Sequence, residues 1–196
     1  MFVTASGVGY YGPRPPEEAI DESSSPGDDF LANVTKQWEA VAMEAEELGV
    51  RVVRARFGAV LGRGGGALEP MVLAFKLFAG GPIGSGKQVF SWIHRDDAVK
   101  ALLLALDDPH LNGAVNVVSP NPVTNAELAR TIGAVLHRPS WLPVPAPALR
   151  LLYGEGADPI LTGQRVFPRV LEARRFEWRF PTLRAALDEA LGEDDE

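Results

Sequence analysis

The sequence predicts an α/β fold, with a parallel sheet followed by a small, mostly helical C-terminal domain. Segments rich in β-branched residues alternate with helix-like segments over residues 1–119, and that alternation is typical of βαβ units. From residue 120 onwards, helical patterns and proline-rich connections predominate. We therefore expect one domain over residues 1–119 and a second over residues 120–196.

The first two predicted strands flank a long amphipathic helix. The run Phe2–Ala5 is typical of a buried strand that delivers small and hydroxyl side chains to a loop at its carboxyl end. Apolar residues then recur at spacings of three and four, which predicts a helix. These residues are Phe30, Val34, Trp38, Val41, Ala45 and Leu48. Gly49 ends the helix, and the β-branched run Val50–Phe57 predicts the next strand.

The same alternation continues to the end of the chain. Helices are expected over residues 68–79, 97–106, 125–136 and 182–191, and strands over residues 89–93 and 114–118. Asp96 is expected to cap the helix that begins at Asp97. Thr124 and Glu127 lie three residues apart at the start of another helix, which is the spacing of a capping box.

Composition and charge exclude several classes of protein. The formal charge of -7 argues against binding to nucleic acid or to an anionic membrane, because both need clustered Lys and Arg. The chain has no cysteine and three scattered histidines, so we expect neither disulfides nor a metal site. The sequence shows neither a long apolar span nor a secretory leader. We therefore expect a cytoplasmic protein.

One glycine-rich segment nearly matches a phosphate-binding loop. Residues 81–87 fit the pattern G-x-x-x-x-G-K, but Gln88 stands where that loop needs Ser or Thr to hold magnesium. A strand-like segment follows, whereas a phosphate-binding loop leads into a helix. A tight turn between a helix and a strand is therefore the better interpretation.

Segments along the whole chain resemble one family. They are residues 5–12, 27–31, 60–62, 91–97, 116–125 and 164–168. They are similar to the nucleotide-sugar epimerase branch of the extended short-chain dehydrogenase/reductases. The resemblance implies a partial Rossmann-type domain, a doubly wound parallel sheet that binds NADP or NAD, over residues 1–119. It also implies a small substrate-side domain over residues 120–196 and a small-molecule substrate, a nucleotide sugar or a related carbonyl or hydroxyl compound.

Two departures make the chain an atypical member of that family. The glycine-rich turn that binds the pyrophosphate is absent, which predicts that the first half of the dinucleotide-binding domain is missing and that the chain alone binds cofactor weakly or not at all. The edge of strand 2–5 would then be open to self-association or to the missing N-terminal half. A fragment, a wrongly placed gene start and a true split protein stay open as origins.

The second departure concerns acid/base chemistry. Family members carry a Tyr-x-x-x-Lys pair in which the ammonium lowers the pKa of the phenol. At the equivalent helix start this chain has Phe30 and Leu31, with Val34 and Thr35 four residues later. Neither an apolar side chain nor a threonine supplies that couple, so we expect ordinary catalysis to be lost.

The candidate site residues come from the strand ends that the motifs mark. We predict catalytic roles for Ser6 and Tyr10. The residues expected to bind the cofactor are Ser6, Tyr11, Phe57, Gly58, Ala59 and Val60, and those expected to bind substrate are Gly7, Tyr10, Trp92 and Asn121. His94 and Asp97 are expected to join the two domains through hydrogen bonds.

Structural roles stay open for several of these residues. A hydroxyl such as that of Ser6 can simply cap a strand end, and tyrosines flanked by glycines often pack over a cleft. Trp92 can face either the core or the cleft, and Asn121 can belong to a solvated turn.

Three functions are compatible with these observations. The first is an NAD(P)-dependent epimerase or reductase in which Ser6 and a loop tyrosine assist a hydride step. The second is a catalytically silent NAD(P)-binding protein, which the missing Tyr-Lys couple favours. The third is an interaction module or a fragment, which the missing glycine-rich half favours.

Overall fold

Short strands and helices alternate through the computed structural model, which describes residues 1–66, 68–154 and 161–192. The strands are β1 (Phe2–Gly7), β2 (Ala19–Ile20), β3 (Val52–Phe57), β4 (Ala59–Leu61), β5 (Val89–Phe90), β6 (Trp92–His94), β7 (Gly113–Val117), β8 (Val123–Thr124) and β9 (Arg165–Val166). The helices are α1 (Phe30–Met43), α2 (Leu68–Lys76), α3 (Arg95–Asp107), α4 (Asn125–Val135), α5 (Ala146–Tyr153), α6 (Arg169–Ala173) and α7 (Leu183–Leu191).

The central sheet has three parallel strands in the order β1-β3-β7. Its register places Gly7 opposite Phe57, so the carboxyl ends of β1 and β3 lie side by side. Parallel neighbours need crossover connections, which are usually helices. Both α1 and α3 contact β1 and β3. The prediction of an α/β fold with a parallel sheet is confirmed. β4 and β6 form a separate parallel pair.

Two large apolar cores hold these elements together, and a third, smaller one contains Tyr11, Ile20, Val118 and Val166. One large core lies between the central sheet and α3 and contains Val53, Val115 and Ala101. The other lies where α2, α4 and α7 pack against the β4-β6 pair, and it contains Trp92 and Leu187. The second core joins helices of the 120–196 segment to strands of the 1–119 segment.

The apolar stripe of α1 points away from both cores. Trp38 is 61% exposed and Val41 is 66% exposed, although their spacing predicted an amphipathic helix. The face of α1 that packs on the sheet carries Ala32, Thr35, Glu39 and Ala42 instead. Helical periodicity identifies the apolar side of a helix, but the neighbouring sheet face decides which side is covered, and here that sheet face is polar.

Two local predictions are wrong in detail. The cap of α3 is His94, whose Nδ1 accepts from the Asp96 amide at 3.2 Å, rather than Asp96. The expected strand 89–93 is two strands, because Ser91 lies between β5 and β6 and its hydroxyl donates to the Gln164 carbonyl at 2.7 Å. By contrast, the cap at Thr124 is confirmed, since its hydroxyl accepts from the Glu127 amide at 3.2 Å.

Candidate functional site

The candidate site begins in the loop at the carboxyl end of β1. Residues 8–11 form a short 3₁₀ turn, and the Gly27 amide donates to the Tyr10 carbonyl at 2.9 Å. A Cβ atom on Gly27 would lie 2.6 Å from the Cα of Gly12. The long loop before α1 therefore crosses directly over the turn, and only glycine permits this close approach.

A buried carboxylate lies beneath this turn. Glu39 of α1 is 1% exposed and Arg56 of β3 is 2% exposed. The Arg56 Nε and Nη2 atoms each donate to Glu39 at 2.7 Å, which is a bidentate pair. Arg54 donates to the same carboxylate at 3.3 Å, and the Ser6 hydroxyl donates to it at 2.8 Å. Glu39 thus fixes the direction of the Ser6 hydroxyl hydrogen.

Arg56 also connects Glu39 to Tyr11. Its Nη1 donates to the Tyr11 hydroxyl at 2.9 Å, and that hydroxyl donates to Asn116 Oδ1 at 2.7 Å. Burial raises the pKa of the Tyr11 phenol, although the charge of Arg56 acts in the opposite direction. Burial likewise opposes the charged form of Arg56, but its hydrogen bonds to Glu39 and Tyr11 outweigh it and raise the Arg56 pKa. Arg56 is therefore a permanent cation in this network.

The two tyrosines of the turn lie in different environments. Tyr11 is fully buried, so its side chain has no surface with which to contact a ligand in this chain. Tyr10 is half-buried, and the Arg56 guanidinium carbon lies 3.4 Å from the centre of its ring. A guanidinium stacked on an aromatic face at this distance holds the ring in place. Tyr10 is therefore the tyrosine that the turn can present to a ligand.

The positions expected for the Tyr-Lys couple contain no acid/base pair. Leu31 lies beside the turn, since a Cβ on Gly9 would be 3.5 Å from the Leu31 Cβ. The Thr35 hydroxyl is directed at the helix backbone, 2.9 Å from the Leu31 carbonyl and 3.1 Å from that of Ala32. Both positions are thus occupied by groups that cannot exchange a proton with a substrate near neutral pH.

The residues predicted to bind the cofactor lie at the junction of β3 and β4. They are Phe57, Gly58, Ala59 and Val60. Phe57 lies beside Gly7 at the end of the central sheet. The backbone of Gly58 passes so close to Ser91 that a Cβ would lie 2.7 Å from the Ser91 carbonyl oxygen. Ala59 and Val60 pair with β6 rather than with the central sheet. The structure therefore brings Phe57 and Gly7 together with Ser6, and gives Gly58 a packing role.

Trp92 and Asn121, predicted to bind substrate, contact each other. Trp92 is completely buried in the second core, and its Nε1 donates to the Asn121 carbonyl at 3.0 Å. Of the two environments that the sequence left open for Trp92, the structure shows the core. The Asn121 side chain donates to the Pro181 carbonyl at 2.9 Å, so it joins the strand ends to the C-terminal segment.

His94 and Asp97 both make hydrogen bonds to the 120–196 segment. The Nε2 of His94 lies 2.7 Å from a carboxylate oxygen of Glu189, and the His94 ring is fully buried. The two oxygens of Asp97 accept from the backbone amides of Arg179 at 2.7 Å and Phe180 at 2.9 Å. The Asp97 contacts thus join α3 to the segment that leads into α7, and the His94 contact joins the start of α3 to α7 itself.

Sequence reasoning missed Glu39, Arg56 and Glu22. Oε1 of Glu22 accepts from the Asn116 amide at 2.9 Å, and burial raises the pKa of this carboxyl. One signal was available: two arginines stand in the otherwise apolar run of β3, and charged residues inside a buried strand need buried partners. No group of residues suited to a metal ion is found within the described ranges.

Comparison with known proteins shows which proteins this chain is similar to. A domain of unknown function, DUF1731, matches residues 144–190. An epimerase family protein SDR39U1 homologue from Arabidopsis thaliana, described as chloroplastic, is 46% identical over 187 residues, which cover 95% of this chain and 53% of the relative. The human epimerase family protein SDR39U1, solved with NADPH, is 43% identical with a TM-score of 0.88, over 96% of this chain and 64% of that one. Over nearly its whole length, this chain is similar to the epimerase family SDR39U1 proteins.

A second solved structure agrees with this fold. A nucleoside-diphosphate sugar epimerase from Corynebacterium glutamicum is 35% identical, with a TM-score of 0.79, over 97% of this chain and 37% of that one. The Rossmann-type prediction for the fold is confirmed by these structures. The chain spans between about half and two thirds of the length of the curated epimerase family relatives it matches. Among the described residues, no helix is long and apolar enough to cross a membrane.

Proposed function

We propose that this chain forms the nicotinamide- and substrate-facing part of an NADP(H)-dependent epimerase-type protein. The observation that carries the proposal is the match to the human family member, which extends over 96% of this chain and was solved with NADPH. Ligands of open α/β sheets bind at the carboxyl ends of the strands, which is where Ser6, Gly7 and Phe57 lie side by side.

The two candidate catalytic residues would contribute different chemistry. The Ser6 hydroxyl donates its hydrogen to Glu39, so its oxygen has only lone pairs to offer and would accept from a hydroxyl or amide group of a ligand. The Tyr10 phenol can both donate and accept, and stacking on Arg56 orients it. In this arrangement Tyr10 is the group that would move a proton.

The proposed substrate is a nucleotide sugar or a related carbonyl or hydroxyl compound. Support comes from the Corynebacterium glutamicum structure, which is described as a nucleoside-diphosphate sugar epimerase and shares 35% identity with this chain. An epimerase of this kind removes hydride from a carbinol carbon to the nicotinamide and returns it to the opposite face of the resulting ketone.

Calorimetric titration of NADPH tests the cofactor proposal. Two samples are needed: the 196-residue chain, and a fusion that adds the part of the human relative lying outside the match. We expect micromolar binding by the fusion and weak or no binding by the chain alone, because the pyrophosphate determinants expected from the family are not in this sequence. A folded fusion that binds no NADPH would refute the proposal.

A catalytically silent NADP(H)-binding protein is the second candidate. Leu31 and Thr35 at the acid/base positions favour it, because neither side chain can exchange a proton with a substrate. Turnover decides between the two. If the fusion binds NADPH but leaves a panel of nucleotide sugars unchanged, the silent role is supported, whereas turnover that Tyr10→Phe abolishes supports the enzyme.

We also propose that another chain segment covers the free edge of β1. Within the described part of the chain β1 pairs with β3 alone, and Phe2 is 42% exposed. An unpaired strand edge beside exposed apolar residues promotes association. Light scattering of the 196-residue chain should show oligomers that the fusion lacks. A monomeric chain would show that the edge needs no cover.

A further inference from the structure

A cluster of exposed apolar side chains lies away from the candidate site, at the end of α2 and in the proline-rich segment after α4. We name it the Phe78 patch. Its members, with their exposed fractions, are Leu73 (58%), Leu77 (69%), Phe78 (55%), Trp141 (66%) and Leu142 (43%). Single exposed apolar residues are ordinary, but a contiguous group marks a surface that contacts something else.

Backbone contacts make the patch continuous. The Leu142 amide donates to the Gly80 carbonyl at 3.3 Å, and a side chain on Gly81 would overlap the Leu142 backbone. The Arg138 guanidinium carbon lies 4.8 Å from the centre of the Phe78 ring. The segment before α5 is therefore held directly against Phe78 and the glycines that follow α2.

Phe78 itself is strained. It follows the last turn of α2 with φ at 59°, and its amide donates to the Phe75 carbonyl at 2.9 Å. Helices commonly end on such a left-handed residue, but glycine or asparagine normally occupies it, and for a bulky side chain it is an outlier. Because the Phe78 ring is more than half exposed, core packing does not offset this strain. A strained, exposed aromatic side chain points to a binding role.

The two chain segments that carry the patch are basic, although the whole chain is acidic. The chain carries a net charge of -7, yet residues 70–95 and 128–154 contain no Asp or Glu. The basic residues of these two segments are Lys76, Lys87, Arg95, Arg130, Arg138 and Arg150. Lys76 and Arg138 belong to the elements that carry the patch, as does His137. The acidic residue of α2, Glu69, lies one helical turn before Leu73.

We propose that the Phe78 patch docks on an anionic lipid bilayer. Exposed Trp, Phe and Leu side chains flanked by Lys and Arg are the composition of surfaces that lie in the membrane interface. None of the five patch residues lines the two cavities of about 380 and 360 Å³. The expectation of no membrane contact rested on the overall charge, which hides this segregation.

Vesicle binding tests the proposal. The 196-residue chain is sedimented with vesicles of phosphatidylcholine alone and of phosphatidylcholine containing phosphatidylglycerol. We expect binding to the anionic vesicles only, weakened by salt. Arg138→Glu should lower the affinity at least about fivefold, since each basic residue near the surface contributes about that factor.

Trp38 supplies a matched control for Trp141. Both indoles are largely exposed, at 61% and 66%, so replacing either removes little packing. With brominated lipids, fluorescence quenching should disappear in Trp141→Phe and persist in Trp38→Phe. The proposal fails if neutral and anionic vesicles bind equally, if Trp38→Phe alone removes the quenching, or if no vesicle binds. It also fails if Trp141→Phe instead dissociates a dimer, which would assign the patch to a second copy.

Discussion

The two faces of the central sheet are built on different principles. Toward α3 the strands present apolar side chains such as Val53 and Val115, which pack on alanines of that helix. Toward α1 they present Ser6, Arg56 and Asn116, which are joined by hydrogen bonds around Glu39 and Tyr11. Both faces are buried, but one is held by non-directional burial and the other by directed bonds.

The difference between the two faces shows which of them positions the candidate site. Apolar packing tolerates exchange among side chains of similar size, so the α3 face can stabilise the sheet without specifying a site. A buried ionic network requires each partner in its place, and this one reaches from α1 through β3 to the turn that carries Tyr10. The polar face therefore positions the candidate site, whereas the apolar face stabilises the sheet. The following variants test this division of roles between the two faces.

The largest effect is expected from Glu39→Gln. This change leaves the guanidinium of Arg56 buried without a counter-charge, which costs about 3–5 kcal/mol of unfolding free energy. Glu47, in the turn that follows α1, is exposed, so the matched change Glu47→Gln should alter stability by less than about 0.5 kcal/mol. Urea unfolding measures both. Equal losses in the two variants would show that the network does not hold the polar face.

Val115→Ala probes the apolar face. Val115 is 2% exposed, and removing its two methyl groups should cost about 2 kcal/mol through lost burial and a cavity. Because no charge is involved, the loss should be the same at low and high salt when measured by urea unfolding. A strongly salt-dependent loss would mean that the two faces are not separate.

Tyr11→Phe tests the end of the polar network. The change removes a hydroxyl that donates to Asn116 and accepts from Arg56, leaving both partners buried and short of a bond, at a cost of about 1–2 kcal/mol. Thermal unfolding measures the loss. If the variant is as stable as the parent, burial of the ring rather than its hydrogen bonds explains why Tyr11 lies there.

The smallest effect is a dependence on pH at Glu22. Burial raises the pKa of this carboxyl, so the folded state binds its proton more tightly than the unfolded state. Its contribution to stability is present at pH values below the ordinary value of 4.5 and is lost as pH rises through the raised pKa. Glu22→Gln should flatten the decline of stability over that range. An unchanged slope would contradict the assignment.

Local signals predicted much of the fold. Alternating strand and helix patterns located the central sheet and α3, and the spacing of Thr124 and Glu127 located the start of α4. These features depend on residues near each other in sequence, so a single chain contains the information needed. The resemblance to the family also placed Ser6 and Gly7 at the strand end where the structure has them.

Long-range pairing was the part that could not be predicted. The pattern of Trp38 and Val41 marks an apolar side of α1, but nothing local shows that the sheet face beneath this helix is polar. Glu39 and Arg56 are 17 residues apart, and although an arginine inside β3 indicates a buried partner, nothing local shows that this partner is Glu39. The sequence left both core and cleft open for Trp92, because the burial of this side chain depends on α4 and α7, which come much later in the chain.

The claim that the polar face positions the site is tested most directly by NADPH binding. The variants Tyr10→Ala and Val115→Ala are compared, each in the fusion that carries the human segment. Titrations at a temperature where both variants remain folded separate binding from stability. We expect Tyr10→Ala to weaken NADPH binding about tenfold, equivalent to about 1.4 kcal/mol, and Val115→Ala to leave it unchanged. Equal affinities, or a loss in Val115→Ala alone, would contradict a site positioned by the polar face.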